Sequence, residues 1–64
     1  MTAGIDWPMR MREWLRRNPG AMWTKPGNGS PEHSVTVDGE ILASEVYLRD
    51  LVTRVEDLER TSRM

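Results

Sequence analysis

His33 is the single histidine of the chain and stands between Glu32 and Ser34, so the three residue types of a nucleophilic triad occur side by side. A triad requires those side chains to converge from separate backbone positions, each holding the next in place. Neighbours in one short loop segment do not converge that way, and a solvated loop histidine is the expectation. A zinc site needs about four clustered N, S or O ligands. One histidine and no cysteine do not supply them, so neither a metal nor a cofactor is expected. Gly27-Asn28-Gly29 has the composition of a phosphate-cradling turn, but such a turn works between a buried strand and a following helix. Neither is evident on its two sides.

Arginine and tryptophan offer a different chemistry. Arg10, Arg12, Arg16 and Arg17, with Lys25 beyond them, are candidate phosphate contacts, and Trp14 or Trp23 could stack on bases. The patch is modest and lacks helix-turn-helix or zinc-finger spacing. A membrane surface is a weaker match, because Trp7, Met11 and Trp14 make a short apolar face for an interfacial helix. The charge is split along the chain: residues 1 to 25 carry five basic and two acidic side chains, and residues 26 to 64 carry four and eight. The net charges of +3 and −4 suit either a polyanion-binding arm or oppositely charged surfaces that attract within an assembly.

Three segments position these residues. In residues 1 to 24, a short helix from Asp6 to Asn18 is expected, with Asp6 as N-cap and Pro8 in the first turn, where its missing N–H costs nothing. Asn18-Pro19-Gly20 stops it. Trp7, Met11, Trp14 and Leu15 follow helical spacing and form one stripe; with Trp23 they make a candidate docking surface. Residues 25 to 43 hold the turn formers Pro26-Gly27-Asn28-Gly29-Ser30-Pro31, which read as a loop. Beyond them Val35-Thr36-Val37, Asp38-Gly39 and Glu40-Ile41-Leu42 read as a small β-hairpin. The rival reading starts a long helix at Gly39.

Residues 44 to 64 carry the clearest pattern. Ser44 can cap a helix whose interior has no Gly or Pro. Glu45, Asp50, Glu56 and Glu59 each precede an arginine by four residues, the favourable orientation for pairing along a helix. Leu48, Leu51, Val55 and Leu58 are spaced three, four and three, a two-heptad coiled-coil seam, and Val52 widens it beyond a two-stranded zipper. Arg54-Val55-Glu56-Asp57-Leu58-Glu59 resembles the short trimerisation motif of parallel coiled coils, which runs Arg, aliphatic, any two, aliphatic, Glu. The resemblance implies that Arg54 pairs with Glu59 of a neighbouring helix and that a trimer is favoured over a dimer. The competing arrangement packs the same stripe against Trp7, Met11, Trp14 and Leu15 in a helical hairpin.

The fold expected from these segments is mainly α: a short N-terminal helix, a loop with a small β-hairpin, and a long amphipathic helix forming a short coiled coil. A 64-residue chain hides only ~60% of its unfolded surface, so association is the expected remedy for a thin core. The interface is expected at Leu48, Leu51, Val52, Arg54, Val55, Leu58 and Glu59, with the chain itself or a larger assembly as partner. No enzymatic activity is expected. No segment reads as a membrane span or secretory signal, so an intracellular origin is expected. In size and layout the chain is similar to small accessory chains of large assemblies, such as minor virion proteins of bacteriophages. A structural role in such a complex, with a nucleic-acid-binding regulator as alternative, is the functional expectation.

Overall fold

A computed structural model describes residues 4–27 and 29–62. It contains two helices and three strands in the order α1 (Trp7–Arg17), β1 (Ala21–Thr24), β2 (His33–Val37), β3 (Glu40–Glu45) and α2 (Leu48–Ser62). The strands form an antiparallel sheet in the order β1-β2-β3. This corrects the expectation of a mainly α chain ending in a coiled coil. The molecule is a mixed α/β fold, in which both helices cover one face of the sheet.

Local chemistry explains each element. The Asp6 carboxylate accepts from the Met9 backbone N–H at 3.0 Å, capping α1, and Arg16 and Arg17 occupy its last turn, where cations favour the helix dipole. At the C-terminus the Asn18 side-chain amide donates to the Trp14 carbonyl at 2.8 Å. Pro19 then blocks continuation, and Gly20 takes φ +100°, a conformation that glycine adopts without strain. The chain reverses there and enters β1. That strand was hidden in the sequence because Ala21-Met22-Trp23-Thr24 is only four residues long and its partner lies nine residues further on.

Between β2 and β3 the turn residues Asp38 and Gly39 both have positive φ, 53° and 86°. Two successive left-handed residues make the turn whose twist matches a hairpin. The register pairs Val37 with Glu40, Thr36 with Ile41 and Val35 with Ala43, leaving Leu42 as the extra residue of a β-bulge. β3 continues to Glu45, beyond the short hairpin and across the position where Ser44 was expected to cap a helix. Ser44 instead donates from Oγ to Glu32 Oε1 at 2.7 Å. The last helix therefore begins at Leu48, with neither Gly39 nor Ser44 in it, and the segment expected as a loop with a small hairpin contains all of β2 and part of β3.

The core consists of Met11 and Trp14 from α1, Val35 and Ala43 from the sheet, and Leu51, Val52 and Val55 from α2. Trp7, Leu15, Ala21, Trp23 and Leu48 pack around it. The apolar stripe of α2 and that of α1 thus meet within one chain. They do not meet as a helical hairpin: three strands intervene, and the pairs Arg10–Glu56 and Arg17–Glu59 ascend both helices together. The coiled-coil seam fails for the same reason. Leu51, Val52 and Val55 are fully buried by the chain's own sheet and first helix, so the face that two heptads would present to another chain is already covered.

Candidate interaction surface

Three places in the fold gather chemistry. The first is the seam between the helices. Arg10 donates from Nε and Nη2 to Glu56 at 3.1 and 2.6 Å, and Arg17 donates likewise to Glu59 at 3.3 and 3.1 Å. The Asn18 side chain adds a third donor to Glu59 at 3.1 Å. Two-pronged guanidinium–carboxylate pairs fix geometry as well as charge. The Arg17 guanidinium is held above its ordinary pKa, chiefly by the hydrogen bond to Glu59, with partial burial opposing. The opposite charges of the two halves of the chain therefore meet across α1 and α2 of a single molecule.

These pairs replace the expected pairing along the last helix. Glu45 pairs with Arg54 at 2.9 Å and Asp57 with Arg60 at 3.6 Å, and Asp50 lies 3.6 Å from Arg49. Glu59 was also expected to pair with Arg63, which lies outside the described residues. Tertiary contacts win because a carboxylate beside a guanidinium on a packed neighbour loses less side-chain freedom than two exposed side chains searching for each other. With Arg60, the two pairs line a shallow groove of about 280 Å³. Its acids are already committed to cations, so the groove is suited to clamping the helices together rather than to proton transfer.

Of the four candidate phosphate contacts, Arg10 and Arg17 are thus engaged with carboxylates, and Arg10 also lies over the Trp7 ring at 5.4 Å. Arg12 and Arg16 are exposed on α1. Met11 and Trp14 are buried and so cannot face a membrane or a base. The Trp14 indole N–H has no hydrogen-bond partner among the described residues. No helix among the described residues is long and apolar enough to cross a membrane.

The second place is the end of the sheet near Thr24. Trp23 donates from Nε1 to His33 Nδ1 at 3.3 Å, the two rings stack with centroids 6.0 Å apart, and Lys25 lies 5.1 Å from the Trp23 ring. His33 is on β2 opposite Glu45, not in a loop. Successive strand residues point to opposite faces, so His33 faces the helices while Ser34 faces away, and Glu32 is engaged by Ser44. The three adjacent residues of a triad are thereby separated. A neutral His33 that accepts at Nδ1 carries its proton on Nε2, and the contact ties β1 to β2. Of the glycine-rich turn, Gly27 and Ser30 exchange two backbone hydrogen bonds of 3.0 Å, which closes the loop on itself; Asn28 lies outside the described residues.

The third place is the sheet face away from the helices. Cross-strand register sets Met22, Thr36 and Ile41 in one row, and Thr24, Ser34 and Ser44 in the next. Met22 is 67% exposed and Ile41 71%. None of the six is charged, in a chain with 30% charged residues. Leu42 at the bulge, and Val46 and Tyr47 just beyond β3, are exposed apolar neighbours in the sequence. The sequence reading missed this face. Its only signal was the two-residue alternation in Ala21-Met22-Trp23-Thr24 and Val35-Thr36-Val37, which shows two faces without saying which one the helices cover.

The residues expected at an interface are dispersed by the fold. Leu51, Val52 and Val55 are buried, Leu48 packs at the edge of the core, and Leu58 is 38% exposed. Arg54 binds Glu45, and Glu59 binds Arg17 and Asn18, so the Arg54–Glu59 relation of the trimerisation motif is replaced by contacts within the chain. Trp7, Met11, Trp14, Leu15 and Trp23 all lie in or against the core. Comparison of the chain with protein-family models, with curated proteins and with solved structures finds no match.

Proposed function

We propose that this chain is a small non-enzymatic structural component that docks through the outer face of its sheet, the face that the two helices leave uncovered. The observation that carries the reading is the row Met22-Thr36-Ile41, two large apolar side chains projecting into water across a central strand. Large apolar groups grouped together on one face are the usual composition of an interface centre, and the carboxylate of Glu32, held by Ser44 at 2.7 Å, stands at the margin of this one. The setting we favour is a larger assembly such as a bacteriophage particle. A photo-crosslinking residue at Ile41, introduced in producing cells, tests it. Adducts are expected from Ile41 and not from Thr53, which is exposed on α2. Adducts from Thr53 alone would contradict the docking face.

A nucleic-acid role retains one favourable observation, the exposed pair Arg12 and Arg16 one turn apart on α1. Two charges predict a shallow salt dependence of DNA binding, with a slope near −2. Unchanged retention on DNA after both become alanine contradicts that role.

A further inference from the structure

Histidine is the side chain type that ordinarily changes charge between about pH 5 and 8, and the single histidine of this chain stands at a joint of the sheet. His33 opens the central strand β2. On one side of it Trp23 of β1 donates from Nε1 to Nδ1 at 3.3 Å. The ring centroids lie 6.0 Å apart with the planes inclined by 28°, so the stack is offset and the nitrogen edges face one another. Indole nitrogen donates and does not accept. The contact therefore exists only while Nδ1 keeps its lone pair, in the neutral ring. β1 is an edge strand of four residues, so a side-chain bond near its end weighs more than it would on a longer strand.

On the other side stands Glu45. The register sets it directly opposite His33 on β3, and residues paired in this way share a face with their Cβ atoms about 4.5 to 5.5 Å apart. From α2, Arg54 donates to Glu45 Oε2 at 2.9 Å. A carboxylate accepts at both oxygens, so Oε1 can take a second donor. Two more charged side chains belong to the surroundings. Lys25 lies 5.1 Å from the Trp23 ring, and Glu32, next to His33 in the chain, has its carboxylate held by Ser44 on the opposite face.

Protonation changes what each side offers. An imidazolium donates from both nitrogens, so Nδ1–H would meet the indole N–H donor against donor, on the side where Lys25 adds a like charge. Towards β3 the same N–H meets a carboxylate, and a hydrogen bond between two charged groups is stronger than one between neutral groups.

We infer that His33 is a pH-dependent latch that exchanges partners: neutral, it accepts from Trp23 and ties β1 to β2; protonated, it releases Trp23 and donates to Glu45 of β3. Acid thereby loosens the end of β1 and residues 25 to 32 that follow it, while the core around Leu51, Val52 and Val55 stays closed. The inference does not depend on the docking reading above.

Nuclear magnetic resonance of the full chain with isotopically labelled nitrogen, at about pH 8 and about pH 5.5, tests the latch. At the higher pH a coupling through the hydrogen bond should join Trp23 Nε1 to His33 Nδ1, and the ring proton should sit on Nε2. At the lower pH that coupling should vanish. The backbone N–H groups of β1 should then exchange about fivefold faster, beyond the intrinsic effect of pH, as expected for the loss of one hydrogen bond, and those of β3 should not. Trp23→Phe keeps a ring without the N–H and should remove the pH response of β1. Glu45→Gln should move the midpoint of the exchange to lower pH, because the protonated ring loses its charged acceptor. A coupling that persists at the lower pH, a ring proton on Nδ1 at the higher one, or β1 protection that does not follow the coupling overturns the inference. A midpoint indifferent to Glu45→Gln overturns it as well, since the exchange then has no second partner.

Discussion

The two faces of the sheet are built from the same strands and differ only in which alternate residues they present. The helix-facing side presents Val35 and Ala43, both buried beneath α1 and α2; the other side presents Thr36, half-buried, and Ile41, exposed. A chain of this size has two helices to spend, and both lie on one side. The difference teaches where the stability is kept and where contact is free to occur. The apolar stripe of α2, the strongest pattern in the sequence, is consumed by folding, while the inconspicuous outer residues are left uncovered.

The sharpest way to break this contrast uses adjacent positions. Val35→Asp buries a carboxylate without a partner and should cost more than about 4 kcal/mol, enough to unfold a small domain whose core supplies roughly 3 to 5 kcal/mol. Thr36→Asp should cost about 1 kcal/mol or less. Thermal melts followed by circular dichroism distinguish them, and equal losses would mean that the two faces are not different in kind. The same comparison holds along α2. Leu51→Ala removes a fully buried side chain and should cost about 2 to 5 kcal/mol, whereas Leu58→Ala, at a 38% exposed site, should cost about 1 kcal/mol. A coiled coil would make the two losses similar, because both residues occupy d positions of the seam.

The hairpin turn fixes which residues face inward, so it sharpens the contrast at lower cost. Gly39 has φ +86°, and Gly39→Ala should destabilise by about 1 to 2 kcal/mol through backbone strain alone, since open space surrounds the added methyl. Urea unfolding with an unchanged slope is the expected result. The smallest effect belongs to the helix clamp. A double-mutant cycle on Arg10 and Glu56, with side chains 41% and 17% exposed, should give a coupling of about 0.5 to 1 kcal/mol that shrinks with salt. For Arg17 the raised pKa means that its contribution is complete below the ordinary arginine pKa and is lost only as pH rises through the raised value. Arg17→Gln should therefore show the same stability difference from the parent at about pH 7 and about pH 10.

Local signals were legible where the chemistry is local. The Asp6 cap, the Asn18-Pro19-Gly20 stop and the left-handed Asp38-Gly39 turn depend on a few neighbouring residues. The stripes of both helices were also legible, since helical spacing marks which side is apolar. What the spacing does not carry is the identity of the covering surface. Leu48, Leu51, Val55 and Leu58 fit a heptad seam and fit packing under a sheet equally well, because both need one apolar face. The sheet itself was obscured by β1, four residues whose pairing with β2 spans a loop rich in glycine and proline. Once β1 was missed, Trp23 became a docking residue and His33 a loop residue. The hairpin of Val35-Thr36-Val37 and Glu40-Ile41-Leu42 then lacked its third strand, which is why Met22, Thr36 and Ile41 were not recognised as one surface.

One measurement addresses the central claim directly, that the apolar stripe of α2 is buried within the chain and not between chains. In a mixture of isotope-labelled and unlabelled chains at high concentration, isotope-filtered nuclear Overhauser spectra report contacts between copies only. The account predicts no between-chain contacts from Leu51, Val52 or Val55, whose contacts with Trp14 and Met11 should appear solely within a chain. Between-chain contacts among Leu51, Val52 and Val55 would contradict it and restore the helix seam as the interface.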